Sequence, residues 1–161
     1  MINIEIMCIG KIKEKPIIEL LDEYKKRISK YAKLDIIEFP DESLANITSE
    51  INETKVKDLE AEKIIKKLEN SKSYIIALSP NGKMYDSLEF SEKLENIAVN
   101  SYSTITFLIG GSIGLSDKLL NIANEKISFS KLTFPHKLFR VILLEQIYRA
   151  FKIANNETYH K

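Results

Sequence analysis

The sequence has little of several things that define common protein classes: one cysteine, two histidines, five glycines, and no apolar run near the roughly 18 residues that span a bilayer. A single cysteine excludes an intramolecular disulfide framework. Cys8 lies among Ile4, Ile6 and Ile9, which suits a small buried thiol in a reducing, intracellular setting. No group of His, Cys and acidic residues has zinc-ligand spacing, so no metal is expected. The opening residues Met1 to Glu5 carry no basic stretch before a signal core, and the expectation is a soluble, cytoplasmic protein with no membrane association. An excess of either charge sign is also lacking. The net charge is +1, which argues against a strongly basic nucleic-acid binder. Residues 126–161 nevertheless hold seven lysines and arginines against two acids, leaving the remainder acidic. That asymmetry fits either a basic face for a polyanion or a solvated helix.

What is present is an alternation of strand and helix patterns over residues 1–161, the length of one compact domain. Ile2 to Gly10 reads as a buried strand. After Pro16, the residues Ile17, Leu20, Leu21, Tyr24, Ile28 and Tyr31 recur at helical spacing. Leu34 to Pro40 forms a second strand stopped by proline, and Thr48 to Glu69 a long helix with one apolar stripe. Ser73 to Leu78 is a third strand, feeding a loop over the breaker-rich Ser79-Pro80-Asn81-Gly82-Lys83. Asp86-Ser87-Leu88-Glu89 carries a helix-start signature, Ser103 to Ile109 is another buried strand, and Lys126 to Ser130 a fifth. Pro135 opens a last helix running to about Asn155. The pattern predicts an α/β fold with a mostly parallel sheet covered by helices on both faces.

All five glycines fall at or beyond the C-terminal ends of these strands, the edge where open α/β sheets bind ligands. Ordinary turn chemistry accounts for such positions as well. The stretch Gly110-Gly111-Ser112-Ile113-Gly114 lacks the Gly-x-Gly-x-x-Gly order and the Gly-Lys-Ser/Thr ending, which disfavours dinucleotide and triphosphate sites. A small molecule held by backbone groups remains. No Gly-x-Ser-x-Gly elbow is present, so a serine hydrolase is disfavoured.

Two other segments carry chemistry. Ser128 to Arg140 joins a strand to a helix with hydroxyls, His136 and Arg140; Ser130 or Thr133 reads equally as a helix cap and His136 as a lining residue of the first turn. The terminal Thr158-Tyr159-His160-Lys161 is either a mobile tail or a group that stacks on a base and contacts phosphate. Arg140, Glu145, Arg149 and Lys152 share the last helix, where Glu145 and Arg149 fit a surface pair and the arginines fit an RNA backbone. That helix is apolar nearly all round: Val141, Leu144, Tyr148 and Phe151 form one stripe, and Leu138, Ile142, Leu143, Ile147 and Ala150 another. Two partners are needed, the sheet and a second copy, so a symmetric homodimer is expected.

The marks taken together are Gly10-Lys11, Leu78 with Gly82-Lys83, Ile109-Gly110-Gly111-Ser112-x-Gly114-Leu115, Ser128-x-Ser130-x-x-Thr133-Phe134-Pro135-His136-x-x-x-Arg140, Glu145-Gln146-x-Tyr148-Arg149-Ala150 and Tyr159-His160-Lys161. Over essentially its whole length the chain resembles the RlmH family of SPOUT-class methyltransferases, which methylate a pseudouridine of large-subunit (23S) ribosomal RNA. The resemblance implies a C-terminal trefoil knot, an obligate homodimer, S-adenosyl-L-methionine as cofactor, and action on assembled ribosomes. Carried over by position, it implies cofactor contacts at Leu78, Gly110, Phe129, Ser130, Lys131, Leu132, Thr133 and Phe134. His136, Arg140 and Arg149 are assigned to substrate positioning, the arginines to phosphates. His160 is assigned to proton acceptance or base positioning, and Tyr159 to stacking on or orienting the base. Two other readings stand beside this one: a noncatalytic cofactor-binding dimer, and a methyltransferase for another substrate, a different RNA or a protein.

Overall fold

The structure is a computed structural model and describes residues 1–42 and 50–161. Five strands form one sheet in the order β2-β1-β4-β3-β5, with every pairing parallel. The elements follow the chain as β1 (Ile2–Ile9), α1 (Lys15–Ile28), β2 (Ala32–Phe39), α2 (Glu50–Leu68), β3 (Tyr74–Met84), α3 (Ser87–Val99), β4 (Thr104–Ile109), α4 (Asp117–Ile122), β5 (Glu125–Ser128) and α5 (His136–Ala154).

Alternation along β1 builds the two cores. Ile4, Ile6 and Cys8 face one layer with Leu21 and Ile28 of α1, Phe90 and Leu94 of α3, and Leu143, Leu144 and Ile147 of α5. Met7 and Ile9 face the other layer with Ala61, Ile64 and Leu68 of α2 and Leu119 of α4. Both faces are therefore covered, as an all-parallel sheet requires. Burial pushes the Cys8 thiol up to about 12, so it stays a protonated core residue.

Local signals set the helix starts. Pro16 opens α1, and Asp86 caps α3: its carboxylate accepts from the Glu89 amide at 2.8 Å while Glu89 accepts from the Asp86 amide at 2.8 Å. The expected start of α2 at Thr48 lies outside the described residues.

Three expectations change. The breaker-rich Ser79 to Lys83 is not a free loop but lies within β3, whose pairing with β5 slips in register between Leu78 and Lys83. The slip absorbs proline and glycine because the strand runs on past its irregularity. Gly82 crosses there so closely that a Cβ would lie 2.6 Å from the backbone nitrogen of Ile127. Residues 117–122, assigned no element from the sequence, form the short helix α4, capped by the Ser116 hydroxyl accepting from the Leu119 amide. Neither Ser130 nor Thr133 caps α5; Pro135 holds the cap position without a side-chain bond, and the Ser130 hydroxyl instead accepts from the Leu132 amide.

Among the described residues no helix is long and apolar enough to cross a membrane, and no group of three or more His, Cys, Asp and Glu stands close enough to hold a metal.

Candidate active site

The irregular middle of β3 and the loops that follow β4 and β5 converge at the C-terminal edge of the sheet and enclose a cleft of about 690 Å³. Leu78, Gly110, Phe129, Ser130, Leu132, Thr133 and Phe134 all line it. Lys131 does not; its side chain is exposed between two lining residues. The remaining wall includes Pro80, Ile109, Ser128 and His136. Gly110 is held so tightly that a Cβ would sit 2.5 Å from the carbonyl carbon of Gly114, which makes the post-β4 loop a backbone surface. Among the described residues no Lys, Arg, Asp or Glu lines the cleft.

His136 is half-buried at the start of α5. Burial first, then the Arg140 and Lys137 charges, lower its pKa from the usual 6.5 and favour the neutral ring.

Arg140 departs from its expected role. It is 1% exposed, donates to Glu38 Oε2 at 2.7 Å and to the carbonyl oxygens of Gly10 at 2.6 Å and Ile9 at 3.2 Å, and so is not open to RNA phosphates. Glu38 Oε2 also accepts from the Ile12 amide at 2.8 Å. The pair ties the ends of β1 and β2 to α5. Sequence reading missed Glu38, which nothing in the sequence sets apart from Lys33 and Asp35, the other charged residues of β2.

The C-terminal tail packs on its own α5. The Tyr159 hydroxyl donates to Glu145 Oε1 at 3.1 Å, its ring meets Tyr148 edge-on at 4.9 Å, and the Arg149 guanidinium lies 4.8 Å from the Tyr159 ring centroid. Burial foremost, then the Glu145 carboxylate, raise the Tyr159 pKa to about 12, so the phenol keeps its proton. Arg149 donates through Nε to Glu145 Oε1 at 3.0 Å and lies 3.1 Å from His160 Nδ1. Lys152 and the Tyr31 hydroxyl both reach Glu157. His136 and Arg149 are thirteen residues apart on α5, about 20 Å along a helix rising 1.5 Å per residue. No residue of the tail lines the cleft, so within one chain the two are separate sites.

An all-parallel α/β sheet with a glycine-tight, apolar cleft at its carboxyl edge and no phosphate-binding motif is the architecture of an α/β protein whose strand-end cleft suits a small molecule without phosphates. The model of the family described as "Predicted SPOUT methyltransferase" matches residues 2–160. The chain belongs to this family and is a methyltransferase. It is 52% identical over 159 residues, covering 99% of each chain, to "Ribosomal RNA large subunit methyltransferase H" of Clostridium botulinum (strain 657 / Type Ba4). It is 48% identical, again over 99% of each chain, to "Ribosomal RNA large subunit methyltransferase H 1" of Clostridium perfringens (strain SM101 / Type A). Among solved structures, a "probable methylase family protein from Haemophilus influenzae Rd KW20" shares the fold, with a TM-score of 0.56 at 14% identity over 98% of this chain and 70% of that one.

Proposed function

We propose that this protein transfers the methyl group of S-adenosyl-L-methionine to N3 of a pseudouridine in large-subunit (23S) ribosomal RNA, acting as a cytoplasmic homodimer on assembled ribosomes. The full-length kinship to proteins named large-subunit rRNA methyltransferases is the observation that carries this reading. The cleft supports the cofactor: its apolar walls and the bare backbone at Gly110 suit an adenine, and the lack of lysine or arginine on its lining suits a sulfonium cation. When bound, the cofactor supplies an electrophilic methyl group.

The chain's own residues then have distinct tasks. Leu78, Phe129, Leu132 and Phe134 exclude water from the reacting atoms, while Gly110, Ser130 and Thr133 offer polar groups to the cofactor. Lys131, exposed beside them, contributes through its backbone. His136 at the cleft wall positions the substrate base. Tyr159 orients the base, His160 acts at the ring, and Arg149 sets the geometry of the tail. Arg140 serves indirectly, by holding the β1 and β2 ends against α5 beside His136.

Because the tail packs on Glu145, Tyr148 and Arg149 of its own α5 and none of its residues lines the cleft, a complete site needs a second copy that brings its tail to this cleft. Leu138 remains 42% exposed and Ile142 only half-buried, which leaves the outward face of α5 for that partner. The trefoil knot belongs to the same proposal, as the rare threaded topology that the family kinship implies.

The test is transfer of labelled methyl from S-adenosyl-L-methionine to intact ribosomes lacking the modification, with naked large-subunit RNA alongside. Label on ribosomes alone, mapped to one pseudouridine at N3, is the expected outcome. No label in either sample, despite cofactor binding, overturns the substrate assignment.

A further inference from the structure

Arg149 and His160 meet through atoms that leave one choice of proton placement. Arg149 Nη1 lies 3.1 Å from His160 Nδ1. A guanidinium only donates, so Nδ1 must accept and the neutral ring must carry its proton on Nε2. Arg149 cannot swing away freely: its Nε donates to Glu145 Oε1 at 3.0 Å, its plane lies over the Tyr159 ring, and the Tyr159 hydroxyl donates to the same carboxylate oxygen. Gln146 Nε2 donates to Glu145 Oε2 at 2.8 Å, fixing the carboxylate from its other side. The imidazole itself is exposed, so its Nε2 edge is free to meet a substrate.

We infer that Glu145 and Arg149 are positioning residues that present His160 as an Nε2–H hydrogen-bond donor to a carbonyl oxygen flanking the reactive ring nitrogen, and that His160 is not the base that removes the imide proton. The inference rests on the proposed function for its substrate and concerns how the tail serves it. Its chemistry is balanced without a protein base. The imide N3–H gives its proton to solvent hydroxide or water, and the negative charge spreads over the two neighbouring carbonyl oxygens. A donor aimed at one of those oxygens stabilises that anion. The N3 electron pair then forms the bond to the methyl carbon as the carbon–sulfur bond breaks, with its pair left on sulfur.

Two measurements on the full-length protein decide this. The first is nitrogen-15 NMR of the imidazoles at about pH 8, above the ordinary histidine pKa of about 6.5. With only two histidines in the chain, His160→Gln identifies the His160 signals by their loss. The expected result is an Nε2–H tautomer with an unprotonated Nδ1, retained in Arg149→Lys and altered in Arg149→Met. An Nδ1–H tautomer, or an Nδ1 signal indifferent to Arg149→Met in a variant whose circular dichroism is unchanged, overturns the inference. This readout needs no methyl transfer.

The second is single-turnover methylation of ribosomes with saturating cofactor. Glutamine keeps an N–H near the Nε2 position but offers no basic nitrogen. His160→Gln is expected to stay within about tenfold of the parent rate, and His160→Ala to lose about 100-fold, the usual effect of removing one donor to a developing oxyanion. Equal losses in the two variants return the base role to His160 and overturn the inference. Failure of the parent protein to methylate ribosomes overturns the functional reading instead, and the tautomer measurement still stands.

Discussion

Arg140 and Glu38 sit 102 residues apart in sequence and 2.7 Å apart in the fold, with the arginine side chain 2% exposed and the glutamate 33%. A guanidinium so buried depends on its one carboxylate partner. Glu38→Gln leaves that charge uncompensated and is expected to cost about 3 kcal/mol, the lower end for breaking a buried pair because Glu38 keeps some access to water. Urea unfolding of the variant against the parent measures it, and an unchanged midpoint would remove the pair from the account of stability.

The cleft predicts a steric result at Gly110. An added Cβ would lie 2.5 Å from Gly114 and 2.7 Å from the Leu115 amide nitrogen, both backbone atoms that cannot rotate away. Gly110→Ala is expected to lower stability by roughly 1–3 kcal/mol as the loop shifts. Affinity for S-adenosyl-L-methionine should fall at least about tenfold, or 1.4 kcal/mol. Calorimetric titration beside a thermal melt separates the two effects, and parent-like affinity would place the cofactor away from this loop.

Stability should depend on pH through His136. Its folded pKa is lowered, chiefly by burial, so near and below the ordinary value the unfolded chain takes up the proton more readily than the native one. The neutral ring's contribution is therefore fully present above about pH 6.5 and is lost as pH falls through the window below it. Unfolding free energies from about pH 7.5 to 5.5 should fall more steeply for the parent than for His136→Gln. Parallel curves would show that the ring titrates alike in both states.

The outward face of α5 predicts assembly. Leu138 and Ile142 are one turn apart on that face. Leu138→Asp combined with Ile142→Glu should give a folded monomer that still binds cofactor and does not methylate ribosomes. Sedimentation of the parent as a monomer at micromolar concentration, or a fully active monomeric variant, would remove the need for a partner's tail.

Some of this was legible in the residues and some was not. Alternation of Ile4, Ile6 and Cys8 against Met7 and Ile9 announced a strand buried on both faces, and Asp86 with Glu89 announced the start of α3. The glycine run from Gly110 to Gly114 points to the strand-end edge where the cleft lies, and the other expected cofactor contacts follow only from the family resemblance. An arginine in the second turn of a helix reads alike in sequence whether it meets phosphate or a carboxylate that approaches from β2, so the role of Arg140 is decided by the fold. At Ser79 to Lys83 proline and glycine signal a break in the sequence, whereas a register slip lets the strand continue in the fold.

The sequence by itself determined most of the elements, though not α4 or the full extent of β3, together with their two-sided burial and the chemical character of the strand-end loops, since helix caps and side-chain periodicity act over a few residues. Tertiary structure alone decided that Glu38 neutralises Arg140, that Gly82 lies against Ile127, and that Arg149 faces the Nδ1 edge of His160. Two of those contacts join segments far apart in the chain, and all three turn on ångström-scale approach between atoms. Sheet register and helix packing fix such approaches, and no local preference encodes them.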